Sequence, residues 1–432
     1  SKSDIKRTYF DLAGMQFFDP QKIGQEIKPN PQDNTVDIHW TLEEKGSSQI
    51  QLQAGYGGNT FIGTLGLTFN NFSLRKFLKF NKLIPQGDGQ TLSLQAQAGQ
   101  YFQTYSASFV EPWLFGKRPT ALSVSFSHSR VKYSDYYGNP MKLNIMSASL
   151  GLNKLLEWPD NYFSLYTGLS YQRYSFNNYT FYFGEETLTH GTANNFAFNV
   201  SLSRNSAGYD PIFPTTGSNI ELSAKFTPPY SAFNNKDYST MATADKYRWM
   251  EYYKIKFKAD AYNEVIGKLV LRTSAEMGFL HGYNKQLGAP PFERFYMGGT
   301  GLYSGRYDGR ELIPLRGYDD PSTSGGTSTD VTPTGGGILY NRFALELRYP
   351  ISMSQTAKIY GLAFAEGGNT WKGFNSYNPF KLQRSVGVGV RIYMGAFGLI
   401  GFDFAYGIDK LPYSTSNTPS GWQTHFLMNQ SL

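Results

Sequence analysis

Cysteine is absent from this chain of 432 residues, and charged residues are scarce. The absence of thiols excludes disulfide scaffolds and metal sites that are ligated by cysteine. Aspartate, glutamate, lysine and arginine together make up 17% of the sequence, against about 25% in ordinary globular domains. The net charge of +7 is modest and the basic residues form no tract, which argues against a nucleic-acid partner.

A long apolar run is also missing. A membrane-spanning helix needs about 20 consecutive apolar residues. The nearest approach, 386–406, is interrupted by Arg391, Asp403 and several glycines, so a helix there would carry charge into lipid. We therefore predict that no helix of this chain spans a membrane.

The sequence instead alternates between apolar and polar residues over most of its length. Ile255 and Phe257, for example, alternate with Lys256, Lys258 and Asp260. The pattern recurs at 91–99, 121–128, 196–203, 220–226 and 342–349. A soluble sandwich with one solvated sheet face would also alternate. So many alternating segments, together with 16% aromatic residues, favour a membrane β-barrel with aromatic girdles at both interfaces.

Sixteen strands can be placed by this alternation, and single-chain barrels have an even number. They lie at 49–57, 61–70, 91–100, 102–111, 120–131, 143–153, 162–174, 193–204, 217–227, 249–262, 267–280, 338–349, 356–367, 384–394, 397–408 and 422–431. The predicted fold is an all-β, antiparallel transmembrane barrel. Long connections at 132–142, 175–192, 228–248 and 281–337 alternate with short ones, which is typical of external loops and periplasmic turns. The stretch 71–90 is expected to be one long periplasmic excursion.

The first 46 residues do not follow this pattern. Lys2 to Gly14 has the spacing of a helix that stops at glycine, and Val36 to Leu42 alternates like a strand after an extended piece at 17–27. These elements bury too little surface for an independent core. We therefore expect 1–46 to be the end of a domain that begins upstream, and 47–432 to be the barrel.

Several short motifs, in order along the chain, resemble the BamA family of outer-membrane barrel assembly factors. They are Gly14-Met15-Gln16-Phe17-Phe18-Asp19, Gly55-Tyr56-Gly57, the segment 209–218, Pro291 to Gly299, Leu315-Arg316-Gly317-Tyr318 and Phe364 to Trp371. The resemblance implies that 1–46 is the C-terminal part of the last POTRA domain, a periplasmic module, and that 281–337 is a long external loop. It also implies residence in the outer membrane of a Gram-negative bacterium, with the POTRA end in the periplasm.

The same resemblance implies a structural role for Arg316. In the family this arginine folds into the barrel with the loop and pairs with an acidic residue on the thirteenth strand, which here is Glu366. A bidentate pair of this kind would fix the loop against the wall, and we call it the loop-lock pair. The alternative is a solvated loop arginine beside a glutamate of the polar face. The accompanying loop motif comprises Gly298, Gly299, Leu315, Gly317 and Tyr318, and 300–314 is expected to add an element at the loop tip.

The seam of the barrel is the second predicted site. Backbone groups in lipid must be satisfied, so the first strand has to meet the last. The seam residues are Gln49, Ile50, Gln51, Leu52, Gln53, Ala54, Gly55 and Tyr56 on the first strand and Gln423, Thr424, His425, Phe426, Leu427, Met428 and Asn429 on the last. The last strand is polar for a lipid-spanning strand, so the seam is expected to open and pair with an incoming strand. A closed seam that is merely polar is the alternative.

The predicted function is that of an assembly factor that inserts and folds client barrel proteins through this seam. The resemblance implies as partners unfolded outer-membrane clients, lipoprotein accessory subunits, periplasmic chaperones and the lipid bilayer. A related translocator, for two-partner secretion or autotransporter assembly, and a passive porin are the alternatives. An enzyme is not expected, nor a metal or cofactor, since the five histidines are scattered. A phospholipase-like barrel would need His128 to meet a serine and an acid. Asp403, Arg391, Glu346 and Lys256 are predicted to be ordinary lumen charges.

Overall fold

The computed structural model describes residues 5, 8–9, 12, 23–30, 35–43, 48–57, 60–79, 84–116, 120–134, 138–183, 186–208, 210–234, 236–300, 309–322, 325–354, 357–394, 398–415 and 418–429. The strands are β1 (Gly24–Asn30), β2 (Thr35–Thr41), β3 (Ser48–Gly57), β4 (Thr60–Phe72), β5 (Gln90–Gly99), β6 (Phe102–Glu111), β7 (Thr120–Ser134), β8 (Pro140–Leu155), β9 (Phe163–Phe183), β10 (Glu186–Asn205), β11 (Gly217–Phe226), β12 (Tyr253–Ile266), β13 (Leu269–His281), β14 (Phe295–Met297), β15 (Glu311–Ile313), β16 (Leu339–Met353), β17 (Ala357–Trp371), β18 (Gln383–Met394), β19 (Gly398–Lys410) and β20 (Pro419–Asn429). Short helices within the described ranges are α1 (Leu74–Phe77), α2 (Ser231–Asn234) and α3 (Thr243–Lys246), with 3₁₀ turns at Pro291–Glu293 and Phe374–Ser376.

Sixteen of these strands form one antiparallel sheet, and the predicted barrel fold is confirmed. The order follows the chain from β3 to β20, with β16 beside β13 because β14 and β15 belong to the intervening loop. Each predicted strand coincides with an observed one. We call the end of the barrel where β2 leads into β3 the proximal end, and the opposite end the distal end. None of the helices in the described ranges has the length and apolar content that crossing a bilayer requires.

The two faces of the sheet differ as the alternation predicts. On β16, Leu345 and Leu347 are exposed on the outer face, whereas Arg342, Glu346 and Arg348 are buried in the lumen. Successive side chains of a strand point to opposite faces, so the period of two in the sequence becomes an apolar exterior and a charged interior.

The prediction of a loop at 175–192 is wrong. β9 continues to Phe183 and β10 begins at Glu186, and the two strands stay paired across a bulge near Leu188. One face of this extension is buried. The ring centroid of Phe181 lies 5.3 Å from that of Phe176 and 4.5 Å from that of Phe292. A strand can therefore project beyond the barrel wall here because aromatic side chains of the long loop cover it.

The proximal end carries two of the predicted features. β1 and β2 form a separate antiparallel pair, in which Ile27 lies opposite Ile38. Of residues 1–22 only 5, 8, 9 and 12 are described, and all four are helical, so most of the predicted helix lies outside the described residues. The assignment of 1–46 to a POTRA domain stays a prediction. A long connection is found where the sequence predicts an excursion, at 73–89 with α1 inside it, and its periplasmic location stays a prediction.

Residues 282–338 form the long loop between β13 and β16, and its described parts, 282–300, 309–322 and 325–338, fold into the distal half of the barrel. Its side chains Phe292, Phe295, Leu315 and Tyr318 are fully buried in an apolar cluster with Tyr174 of β9. This packing presses the loop tip against the inner wall, where the sequence predicts the loop-lock pair.

Candidate functional site

The tip of the long loop, residues 295–299 and 311–318, contains a short parallel sheet. β14 and β15 pair from Phe295 opposite Glu311 to Met297 opposite Ile313, so part of the stretch 300–314 forms the added element that the sequence predicts. Gly298 has φ +147° and Gly299 has φ +56°, a region that favours glycine. The carbonyl oxygen of Gly299 accepts a hydrogen bond from the Leu315 N–H at 3.0 Å, which closes the turn just before Arg316.

Arg316 is buried and is surrounded by carboxylates from three strands. Its Nη2 atom lies 3.0 Å from Glu366 Oε2 and 2.9 Å from Glu346 Oε1, and its Nη1 atom lies 3.5 Å from Asp403 Oδ2. Its backbone N–H also donates to Glu366. The guanidinium covers the ring of Phe364 at 3.5 Å from the centroid, a cation–π contact. The solvated arginine that was the alternative is therefore not observed, and the role of the pair in function stays a prediction.

A network of ion pairs extends from Arg316 along the inner wall. Each of its three carboxylates has a further arginine partner: Arg342 Nη2 lies 2.7 Å from Glu366, Arg348 Nη2 lies 2.6 Å from Glu346, and Arg391 Nη1 lies 2.7 Å from Asp403. Glu346, Asp403, Arg391 and Lys256 are lumen charges, as the sequence predicts, but each is held in an ion pair. The first three belong to this network, and Lys256 Nζ lies 2.8 Å from Glu311 of the long loop. Buried charges are tolerated when each has a partner of opposite charge, as here.

The residues after Arg316 connect the loop tip to the last strand. The Gly317 N–H donates to Nε2 of His425 at 2.8 Å, and His425 lies on β20. Gly317 has φ +85°, and a β-carbon there would lie 2.8 Å from the Cβ of Ser385, so only glycine fits this approach. The Tyr318 hydroxyl donates to the carbonyl oxygen of Arg384 on β18 at 2.7 Å. The loop motif therefore contacts a seam strand directly, which the sequence analysis missed because the two sites lie about one hundred residues apart.

A second buried anchor holds the long loop to β10, β11 and β12. Glu293, at the 3₁₀ turn, accepts from Lys225 Nζ at 2.7 Å and from Asn195 Nδ2 at 2.7 Å, and its Oε2 lies 3.1 Å from Lys254 Nζ. Glu311 of β15 lies between Lys254 and Lys256. The loop is thus fixed at Glu293, Glu311 and Arg316, and the sequence marks Glu293 only as part of the motif from Pro291 to Gly299.

The lysines around Glu293 set its ionisation. Burial alone would raise the pKa of the Glu293 carboxyl, but Lys225 and Lys254 reverse this and hold the pKa well below its usual range. Lys254 and Lys256 lower the pKa of Glu311 against burial in the same way. Both carboxylates are therefore charged at neutral pH.

The two predicted seam strands are the two ends of the sheet order. Within the described ranges, no hydrogen-bonded ladder joins β3 to β20. All seam residues from Gln49 to Tyr56 lie on β3, and those from Gln423 to Asn429 lie on β20, while 430–432 lie outside the described residues. Ile50 is 74% exposed and Leu52 is 65% exposed, as expected for an outward face. On β20, His425 points into the lumen.

A phospholipase-like barrel would need His128 to meet a serine. His128 shares its strand face with Val124 and Phe126, which are exposed on the outer face of β7. Ser123, Ser125 and Ser127 lie on the opposite face. A serine of β7 and His128 are therefore not brought together.

The contact between His425 and Gly317 leads to a prediction. His425→Leu would leave the buried Gly317 N–H without an acceptor, at a cost of about 1–3 kcal/mol. We expect faster hydrogen exchange at 315–318 and along β20, measured by mass spectrometry on the protein in a bilayer. Thr424→Val, one residue away on the outer face, is the matched control and should leave exchange at 315–318 unchanged. Equal exchange in His425→Leu and wild type would contradict the coupling.

The comparisons with known proteins agree with this geometry. The Omp85 superfamily domain matches residues 86–427. The fold is similar to BamA from Haemophilus ducreyi lacking POTRA domains 1–3, with a TM-score of 0.62 and 17% identity over 98% of this chain and 78% of that one. It is also similar to CdiB from Escherichia coli, with a TM-score of 0.59 and 14% identity over 96% of this chain and 68% of that one. CdiB from Acinetobacter baumannii gives a TM-score of 0.56 at 14% identity over 98% and 67% of the two chains.

A comparison with curated protein sequences found no match. The solved structures share too little sequence to show more than the fold. The superfamily domain, in contrast, covers most of the chain and includes the loop motif, its acidic partners and most of the last strand. The resemblance drawn from the motifs is thus confirmed at the level of the superfamily. The chain belongs to the Omp85 superfamily, whose barrels reside in the outer membrane of Gram-negative bacteria.

Proposed function

We propose that this protein is the central subunit of an outer-membrane assembly machine and that it folds client barrels at the seam between β3 and β20. The observation that carries the proposal is the link from the buried loop tip to the seam, in which Gly317 donates to His425 of β20. Superfamily members are transporters and insertases that handle outer-membrane protein clients and membrane lipids. The proposal assigns this chain to the insertases.

The mechanism follows from the chemistry of strand edges. An edge strand presents unpaired N–H and C=O groups that can pair with another strand. In lipid such groups are costly to leave unsatisfied, so an opened seam would favour the binding of an incoming client strand. Each client strand that pairs becomes the next edge, and folding proceeds without a chemical energy source.

The contact between the long loop and β20 fixes one side of the seam. β20 is paired with β19 over most of its length, and it also contacts the long loop through His425. β3 is paired with β4, and its side chains Ile50 and Leu52 face outward. We therefore propose that β3 is the edge that moves and that β20 is the edge that the loop tip positions.

Orientation and partners complete the proposal. Residues 1–46 would be the last part of a POTRA domain, which places the proximal end in the periplasm and the long loop at the cell surface. Clients, periplasmic chaperones and lipoprotein accessory subunits would then meet the protein at the proximal end. The similarity to both BamA and CdiB makes a translocator the main competing outcome of the test.

The proposal is tested by closing the seam with a disulfide. Because the chain has no cysteine, a cysteine at Ile50 or Leu52 combined with one at Thr424 or Phe426 would be the only thiol pair. We expect that any pair that forms a disulfide stops the folding of a client barrel in liposomes, and that reductant restores it.

The matched control is a disulfide between β19 and β20, for which Phe402→Cys with Phe426→Cys is suited because the two residues are register partners. This disulfide should leave client folding unchanged. Undiminished client folding with the β3–β20 disulfide fully formed would contradict the proposed route. No acceleration by any form would favour a translocator or pore, to be examined by single-channel conductance.

A further inference from the structure

The connection between β4 and β5 presents an amphipathic surface at the proximal end. Residues 74–79, which comprise α1 and the turn after it, are all exposed. Leu74 is 39% exposed, Phe77 is 40% exposed and Leu78 is 66% exposed, beside Arg75, Lys76 and Lys79. Residues 73–90 contain four basic residues and one acidic residue. The barrel itself needs no such connection, because other turns at this end are much shorter.

This surface is held rigidly by hydrogen bonds beneath it. The buried Ser73 hydroxyl donates to Asp88 Oδ2 at 2.5 Å, and it accepts from the Lys76 N–H at 3.2 Å to cap α1. The Gly89 N–H donates to Asn71 Oδ1 at 3.0 Å, which ties the two ends of the connection together. A flexible loop would expose apolar side chains only transiently. Here these hydrogen bonds keep Leu74, Phe77 and Leu78 exposed.

A neighbouring turn extends the surface. Gln90 Nε2 donates to Glu111 Oε2 at 2.7 Å, which joins the start of β5 to the end of β6. The turn that follows β6 exposes Trp113 by 38%, Leu114 by 37% and Phe115 by 70%. The two connections therefore form one patch, which we call the proximal patch: residues 73–79 and 112–116.

The position of the proximal patch identifies its occupant. It lies beyond the proximal ends of β4 to β7, whose outer faces expose Leu65, Leu94 and Phe126 to the membrane, and the ring of Phe77 packs 5.8 Å from that of Phe72 at the end of β4. Aromatic and leucine side chains interleaved with basic residues are typical of segments that lie in a membrane interface, with the cations at the headgroups. Basic residues near a membrane surface attract anionic lipids. A protein-docking surface would not need this continuity with the lipid-facing wall.

We propose that the proximal patch is an interfacial anchor that binds the phospholipid leaflet facing the proximal end, with a preference for anionic headgroups. The identity of that leaflet as periplasmic rests on the orientation given with the proposed function. β4 pairs directly with β3, so the anchor holds the wall next to the moving side of the seam at a fixed depth in the leaflet.

The anchor is tested by a fluorescence measurement that involves no client. Leu78→Cys is labelled with an environment-sensitive nitrobenzoxadiazole probe, and the full chain is reconstituted into phosphatidylcholine vesicles with or without phosphatidylglycerol. We expect a blue-shifted emission that is quenched by lipids brominated on their acyl chains. Quenching should increase with phosphatidylglycerol, and Lys79→Glu should abolish this increase.

Two controls make the outcome decisive. Lys285→Glu makes the same charge change in the long loop and should leave the signal at position 78 unaltered. A probe at Lys236→Cys, in an exposed loop at the distal end, gives the emission expected in water. A water-like emission at position 78 in both lipids would overturn the anchor. Equal quenching in both lipids would overturn its preference for anionic headgroups. Because neither readout depends on client folding, failure of the anchor is distinct from failure of the proposed function.

Discussion

Arg316→Ala is expected to release the tip of the long loop from the barrel wall. Removing one partner of a buried ion pair costs about 3–5 kcal/mol, because the remaining charge is left without compensation. Here we expect the lower end of that range, since Glu366, Glu346 and Asp403 each keep another arginine. The urea concentration at the midpoint of unfolding in detergent or lipid should fall, and residues 315–318 should become accessible to protease.

Three further variants isolate the cause. Arg316→Lys keeps the charge but loses the planar fork, so we expect only partial recovery. Arg316→Ala with Glu366→Gln should be less destabilised than the sum of the two single changes, because the double variant leaves less uncompensated charge. Arg384→Ala is the matched control: Arg384 also pairs with an aspartate, Asp409, but it is exposed, and its loss should change little. An unchanged midpoint in Arg316→Ala would contradict the loop lock.

Glu293→Ala is expected to have an effect of similar size at the anchor on β10, β11 and β12. It would leave the buried Lys254 with Glu311 as its one remaining carboxylate partner, and Lys225 without the carboxylate that it contacts at 2.7 Å. We expect a loss of about 3–5 kcal/mol in the free energy of unfolding, measured by urea titration. Glu221→Ala, which removes an exposed glutamate of β11, is the control and should lie close to wild type. If both variants unfold at the same urea concentration, Glu293 is not an anchor.

The same carboxylate gives the expected pH dependence. Since the pKa of Glu293 is lower in the folded state than in the unfolded chain, its pairing stabilises the fold above the ordinary glutamate pKa of 4.5. That contribution is lost as the pH falls further toward the folded-state pKa. Glu293→Gln should therefore reduce the difference in stability between neutral and acidic pH.

The strands could be predicted from sequence because the barrel imposes a local rule. Lipid outside and water inside force a period of two, so segments such as 91–99 and 342–349 can be recognised without knowing their neighbours. The extension of β9 to Phe183 could not be predicted in the same way, since it depends on Phe292 covering Phe181 from a loop more than one hundred residues away.

The candidate site was predictable only in part for the same reason. The pair of Arg316 and Glu366 came from a resemblance, and no spacing in the sequence would have given it. Alternation did place Glu346 and Asp403 on the lumen face, but it could not show that β16, β17 and β19 bring them to one level around a single arginine. The contact of His425 with Gly317 likewise depends on where the loop tip rests.

The most direct test of assembly activity is the folding rate of a urea-denatured client barrel in liposomes, with and without this protein in its longer native form. The account predicts marked acceleration by the wild type, weakened acceleration by Arg316→Ala, and wild-type acceleration by Arg384→Ala. Absence of acceleration by wild-type protein that is folded and correctly oriented would contradict the assignment as an assembly factor.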